Sequence, residues 1–143
     1  MKLNPGDIVE IETESGNAYV QVTHNHAAYP EVVRVLPGRH ASRPDDFGIL
    51  VRSKSDFVAM LPLGGAIENK RINASKVGTA AIPAELKDFP TFRMPIRDKK
   101  GGIAYWWLWD GEGLSYVAEL DANSADLPMR EVMSVDAFLK KLA

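Results

Sequence analysis

All three tryptophans of this 143-residue chain, and two of its four tyrosines, fall between Ile103 and Tyr116. An aromatic-rich apolar run, Ile103–Trp109, leads into Asp110-Gly111-Glu112-Gly113 and then into a second apolar run from Leu114 to Leu120. Two such runs around a Gly-containing polar turn are the pattern of a β-hairpin. Pairing Trp107 with Tyr116 sets Trp109 opposite Leu114, Tyr105 opposite Ala118 and Ile103 opposite Leu120. Side chains alternate along a strand, so these residues share one face, and Ala104, Trp106, Leu108, Ser115, Val117 and Glu119 take the other. A two-residue slip leaves that partition unchanged. The first face is wholly apolar and is expected to be core. The second is mixed.

The rest of the chain reads as β structure with a helical end. Pro5-Gly6 is a turn, Asp7 to Thr13 alternates with Val9 and Ile11 on one face, and Glu14-Ser15-Gly16-Asn17 turns the chain back. In the returning strand Ala18, Val20 and Val22 face inward, with Tyr19, Gln21 and Thr23 facing out. Such an opening is how many small SH3-like barrels begin. Glu31 to Leu36 is a third strand, and 37–46, rich in Pro, Gly and charge, is the segment expected to be mobile. Phe47 to Arg52 and Phe57 to Leu61 read as strands, although a short helix over Ser55 to Leu61 fits equally because a brief apolar run does not settle the period. Pro62 to Ile72 reads as irregular and Val77 to Ile82 as a strand. Pro83 opens a single helical turn. Prolines 90 and 95 confine Phe89–Pro95 to an edge strand or an extended connector. A polar loop over 121–126 and an extended piece over 127–133 precede a helix capped by Ser134. Its apolar stripe is Val135, Phe138, Leu139 and Leu142, with Asp136 early and Lys140 and Lys141 late. The expected whole is a single β-rich domain over 1–143: all-β, mainly antiparallel, an SH3-like or partly open barrel of hairpins with a short C-terminal α-helix.

Seventeen basic against nineteen acidic residues leave a net charge of −2. That balance argues against nucleic acid or an anionic membrane as partner, since both call for a basic excess on one face. There is no cysteine, which excludes disulfides, thiolate zinc sites and cysteine nucleophiles. The opening residues lack the apolar core of a signal peptide and no run reaches membrane-spanning length, so a cytoplasmic address is the default expectation.

Candidate chemistry is sparse. His24 and His26 at i, i+2 spacing, joined by His40 or by Asp45 and Asp46, are the only basis for a metal site, and the spacing does not demand one. No serine or threonine sits in a Gly-x-Ser-x-Gly elbow. Gly64-Gly65 and Gly101-Gly102 lack the lysine and hydroxyl residue of a phosphate loop. The reading is therefore non-enzymatic, with no cofactor and no metal. Trp106, on the mixed face of the hairpin, is either a second core layer or a partner-facing anchor, because tryptophan concentrates at interface hot spots. Asp110 and Glu112 at the hairpin tip would rim such an anchor, and outward-facing Tyr19 is the further candidate contact.

Three segments carry a resemblance: Phe89-Pro90-Thr91-Phe92-Arg93, then Trp106-Trp107-Leu108-Trp109-Asp110-Gly111-Glu112, then Leu127-Pro128-Met129-Arg130-Glu131-Val132 ahead of Phe138-Leu139. Together they resemble the immunity protein 26 family, whose opening strands the Gly6-Asp7-Ile8-Val9 hairpin also fits. The likeness is clearest from Phe89 onward, and residues 24–76 carry none of it. Members are small, predominantly β proteins predicted to be encoded beside polymorphic toxins. The resemblance implies a protein that neutralises a cognate bacterial toxin by direct contact, and it carries no catalytic residues across. The alternative is an SH3-like module that binds peptide or nucleic acid. Oligomeric state is left open by the sequence.

Overall fold

A computed structural model describes residues 2–122, 124–125, 127–129 and 132–142. Arg130 and Glu131 of the expected extended piece, and Asn123 and Asp126 of the polar loop before it, lie outside the described residues. The chain divides into two compact units, Met1–Lys87 with Val132–Ala143, and Asp88–Glu131. The architecture is mainly antiparallel β with a short C-terminal helix, as the alternation requires. Its strands form two open sheets, not a closed barrel.

In the first unit β1 (Asp7–Thr13), β2 (Gly16–His24), β3 (Val32–Val35), β4 (Phe57–Met60) and β5 (Ala74–Thr79) form one sheet in the order β4-β3-β2-β1-β5. Val9 pairs with Val20 and Ile11 with Ala18, which sends the β-branched residues of β1 and β2 to one face. That face is closed by α2 (Leu63–Glu68) and α3 (Val135–Leu142), with Leu63, Ala66, Val135, Phe138 and Leu142 in the same buried cluster. Ser134 caps α3 as expected, its Oγ accepting from Ala137 N–H at 3.1 Å. Arg39 donates to the Leu142 carbonyl at the other end of the helix, where a cation complements the helix dipole.

Two runs differ from their expected form. Phe47–Arg52, expected as a strand, is α1 (Gly48–Arg52) preceded by Phe47. Phe47, Leu50 and Val51 pack inward while Ile49 is 72% exposed. Inward positions at i, i+3 and i+4 are helical spacing, and a six-residue apolar run cannot declare it alone. The Asp46 carboxylate starts the turn by accepting from Gly48 N–H at 2.8 Å. Pro62–Ile72, expected as irregular, contains α2, whose first N–H groups donate to the Glu31 carboxylate, Leu63 at 2.8 Å. That cap comes from a residue distant in sequence.

The second face of the sheet was expected to look outward, with Tyr19, Gln21 and Thr23 exposed. It is buried instead: Tyr19 is 1% exposed, Gln21 0% and Thr23 6%. The 37–56 stretch folds back across it. Asn17 and His40 exchange backbone hydrogen bonds at 2.8 and 2.9 Å, and the Arg43 guanidinium grips Glu10. The Phe47 ring meets Tyr19 at 5.2 Å between centroids. The segment expected to be mobile is thus tied to the sheet at several points. Beneath it lies Arg34, 1% exposed. Its guanidinium donates to Ser55 Oγ (2.7 Å), Gln21 Oε1 (2.9 Å), Val51 O (2.9 Å) and Ser53 O (2.7 Å). A buried charge is tolerated when hydrogen bonds replace its hydration shell.

The second unit is a three-stranded sheet in the order β6-β7-β8, with β6 (Phe92–Arg97), β7 (Ile103–Trp109) and β8 (Leu114–Val117). Pro95 sits on edge strand β6, the placement its missing N–H dictates. Trp107 pairs with Tyr116 and Trp109 with Leu114, the expected register. β8 ends at Val117, so the further pairs expected for Tyr105 and Ile103 are not made. No described helix is long and apolar enough to cross a membrane.

Replacing Arg34 with Met should cost about 3 kcal/mol or more, measured by urea unfolding, because four acceptors lose their donors inside the fold. A second outcome concerns alkali. Burial first, and then the Glu10 carboxylate that accepts its hydroxyl at 2.8 Å, push the Tyr19 phenol up to about 12. The neutral phenol is therefore the form the fold favours. This contribution is complete below the ordinary phenol value of about 10 and drains as pH rises through about 12. Wild type should lose stability across that window more steeply than Tyr19→Phe.

Candidate functional site

The clearest surface feature of the second unit arises from β7 alternation. Cross-strand partners share a face, so Met94, Trp107 and Tyr116 line up across the three strands, as do Phe92, Trp109 and Leu114. This is the face expected to be core, and only one end of it is. Trp109 is 6% exposed and Phe92 0%, and Phe89 packs on both, its ring 5.4 Å from Trp109 and 6.0 Å from Phe92. Elsewhere the face opens: Leu114, directly across from Trp109, is 51% exposed, Tyr116 70% and Ile103 45%, with Tyr105 and Trp107 half-buried. Three short strands cannot curl far enough to bury their own face.

The rings of this part of the face hold one another. Tyr105, Trp107 and Tyr116 form a triangle with centroids 6.0–6.3 Å apart and planes inclined by 62–69°. Edge-to-face contacts of this kind suit aromatic quadrupoles. Rings already fixed lose little entropy on meeting a partner, which is why Tyr and Trp dominate binding hot spots.

The two turns carry opposite charge. At the β7–β8 turn the Asp110 carboxylate accepts from Gly113 N–H (2.9 Å) and Glu112 N–H (3.0 Å). Those bonds hold its carboxyl below the usual carboxylate range, so it stays ionised beside Glu112. Gly111 occupies φ +95°, and a Cβ there would lie 2.6 Å from the Phe89 ring, so a side chain is doubly excluded. At the β6–β7 turn stand Arg97, Lys99 and Lys100, ordered by the Asp98 carboxylate, which accepts from Lys100 and Gly102 N–H. The ends are separated by the length of β7, roughly 20 Å at the usual rise per residue.

The structure treats the sequence-nominated residues differently. Asp110 and Glu112 are exposed at the hairpin tip. Trp106 is half-buried on the opposite face from the ring triangle, between Pro95 and Val117, with the Arg93 guanidinium 5.3 Å over its ring. Tyr19 belongs to the first unit and is withdrawn from solvent there, so it presents no contact surface. Trp107, Tyr105 and Tyr116 were not nominated, because a wholly apolar face was read as core. The signal against that reading was the small size of the unit, which supplies too little chain for a second layer over a whole face.

The three histidines have separate partners. His24 Nε2 meets Lys87 O at 2.8 Å, His26 Nδ1 accepts from Ala28 N–H at 3.0 Å, and His40 packs on Tyr19 at 5.5 Å. Among the described residues no group of three or more His, Cys, Asp or Glu is placed to hold a metal ion. No histidine or cysteine occurs between residues 88 and 131. What the aromatic face offers is apolar area, mutually inclined rings and charged turns. No family model, curated protein or solved structure matches the chain.

The split between the buried and open ends of this face is measurable. Trp109→Ala should destabilise the protein by about 3–5 kcal/mol. Tyr116→Ala, which forfeits only cross-strand ring contacts, should cost about 1 kcal/mol or less. Equal losses in chemical denaturation would mean that the whole face is core.

Proposed function

We propose that this protein is a non-enzymatic, immunity-type binding protein that neutralises a cognate bacterial toxin in the cytoplasm by direct contact. The observation that carries the reading is the Tyr105–Trp107–Tyr116 triangle, half-buried at Tyr105 and Trp107 and open at Tyr116, on a three-stranded sheet. The resemblance of the Trp-rich hairpin and its flanks to the immunity protein 26 family supports it. The mechanism is occlusion: the rings seat on the toxin, and Asp110 and Glu112 contribute an acidic rim that steers a basic surface into place. A cysteine-free chain is indifferent to a reducing compartment. Inhibition by capping demands tight binding, and about 12 kcal/mol corresponds to nanomolar affinity. A few hot-spot aromatics supply most of such an energy.

Exposed rings on a sheet also suit stacked bases of a single strand. Charge weighs against that reading, since acids outnumber bases eight to five between residues 88 and 131.

Co-expression with the product of the adjacent open reading frame is the test. The neighbour should be toxic alone and harmless with this protein, and the two should co-purify. Trp107→Ala and Tyr116→Ala should each weaken the complex by at least about 2 kcal/mol, roughly thirtyfold in affinity, while the sequence-nominated Tyr19→Phe leaves it unchanged. A harmless neighbour, or one not rescued, ends the proposal. Steeply salt-dependent binding of single-stranded RNA would favour the nucleic-acid reading instead.

A further inference from the structure

Among the described residues, the buried hydrophobic side chains are divided very unevenly between the two units. Only Phe92 and Trp109 belong to the second, Asp88–Glu131, and all the others lie in the first. The first unit uses them to fill both faces of its sheet. In the second, every residue of β7 and β8 other than Trp109 is half-buried or exposed. Apolar burial is the main term that offsets chain entropy, so the second unit has little to set against it. Its length is also near the roughly 40 residues below which domains usually need a disulfide, a metal or a partner to hold together. The chain has no cysteine, and no group among the described residues is placed to hold a metal ion.

The first unit holds the chain at both points where it passes to the second. On the way out, the Lys87 carbonyl meets His24 Nε2 at 2.8 Å. On the return, Val132 bridges Met60, and Met133 N–H donates to Met60 O at 2.7 Å. His24 pairs with Val32, and Val32 with Met60, so both anchors sit at one end of the five-stranded sheet. The segment between them is a loop whose ends stay fixed when its interior loses structure, and none of its residues contributes a strand to the larger sheet. We propose that the aromatic sheet opens and closes as a cooperative unit of its own while the five-stranded sheet stays folded. β7 is hydrogen-bonded to both β6 and β8, so the three strands and the ring triangle are released together. Opening of this kind runs through contiguous units of low stability, and binding elements are drawn from that end of the range. A partner that fits the closed sheet stabilises this unit by mass action. The inference concerns the free chain and stands whatever the partner of the face.

All three tryptophans lie in the second unit, so tryptophan fluorescence follows it separately from the first. In urea, the fluorescence transition of the whole wild-type chain should precede the main loss of far-ultraviolet dichroism. In native buffer, hydrogen exchange read by mass spectrometry should be at least about tenfold faster for β7 than for β1, β2 and β3. β7 is the informative strand, because it is central and fraying of an edge does not reach it. The loss expected of Trp109→Ala should fall on this unit alone: β7 loses its protection, and β1–β3 keep theirs within about twofold. Coincident fluorescence and dichroism transitions would overturn the proposal. So would a β7 protected as well as β2, or a Trp109→Ala chain in which β2 loses protection along with β7.

Discussion

Strand β7 is hydrogen-bonded on both sides, to β6 and to β8, and its register decides where every aromatic ring of the second unit goes. Trp109 lands beside Phe92 and beneath Phe89, where it is buried. Two and four residues earlier on the same face, Trp107 and Tyr105 run out of cover and turn to one another and to Tyr116. A slip of one residue would exchange this face for the one carrying Ser115 and Ala104. The turn therefore matters as much as the strands. Asp110 accepts two N–H groups and Gly111 leaves room for Phe89, which together fix the hairpin in that register.

The first unit solves the opposite problem. Its five-stranded sheet is covered on both faces, and the two covers have different chemistry. On the Val9–Val20 face the cover is apolar, from α2 and α3. On the Tyr19 face it is polar at its centre, where Arg34 collects carbonyls from Val51 and Ser53 just after α1. A guanidinium has a fixed fork of donors, so it specifies where that segment lies more sharply than apolar contact would. The Glu10 carboxylate does the same at the rim, accepting from both Tyr19 and Arg43, and the Arg43 bond first of all holds it below the usual glutamate range. Tyr19 and Glu10 respond to pH in opposite senses: the Tyr19 contribution is lost in alkali, and that of Glu10 as acid protonates it.

What the sequence made legible follows period and turn chemistry. The β1–β2 hairpin, the Trp107–Tyr116 register, the edge position of Pro95 and the Ser134-capped helix all rest on local signals that no distant contact overrides. Two of the failures share one cause. Alternation says which residues share a face, not whether that face is covered. Tyr19 was read as exposed because its strand alternates, and the cover that buries it comes from 37–56, a stretch whose polarity suggested a loop. The face of Tyr105 and Trp107 was read as core because it is apolar, and the unit that holds it has no second layer of its own to lay over it. α1 and α2 were missed because each is shorter than two turns, below the length at which helical period is distinguishable from a buried strand.

The consequence for function is that the two tyrosine-bearing sheets are not equivalent. An aromatic side chain whose hydroxyl is spent on an internal carboxylate, as Tyr19 is on Glu10, is structural whatever its sequence context. Rings that touch chiefly other rings, on a face with an acidic turn at one end and a basic turn at the other, keep both their area and their orientation for something outside the chain. Under the proposed function, that separation makes the aromatic sheet the candidate recognition surface.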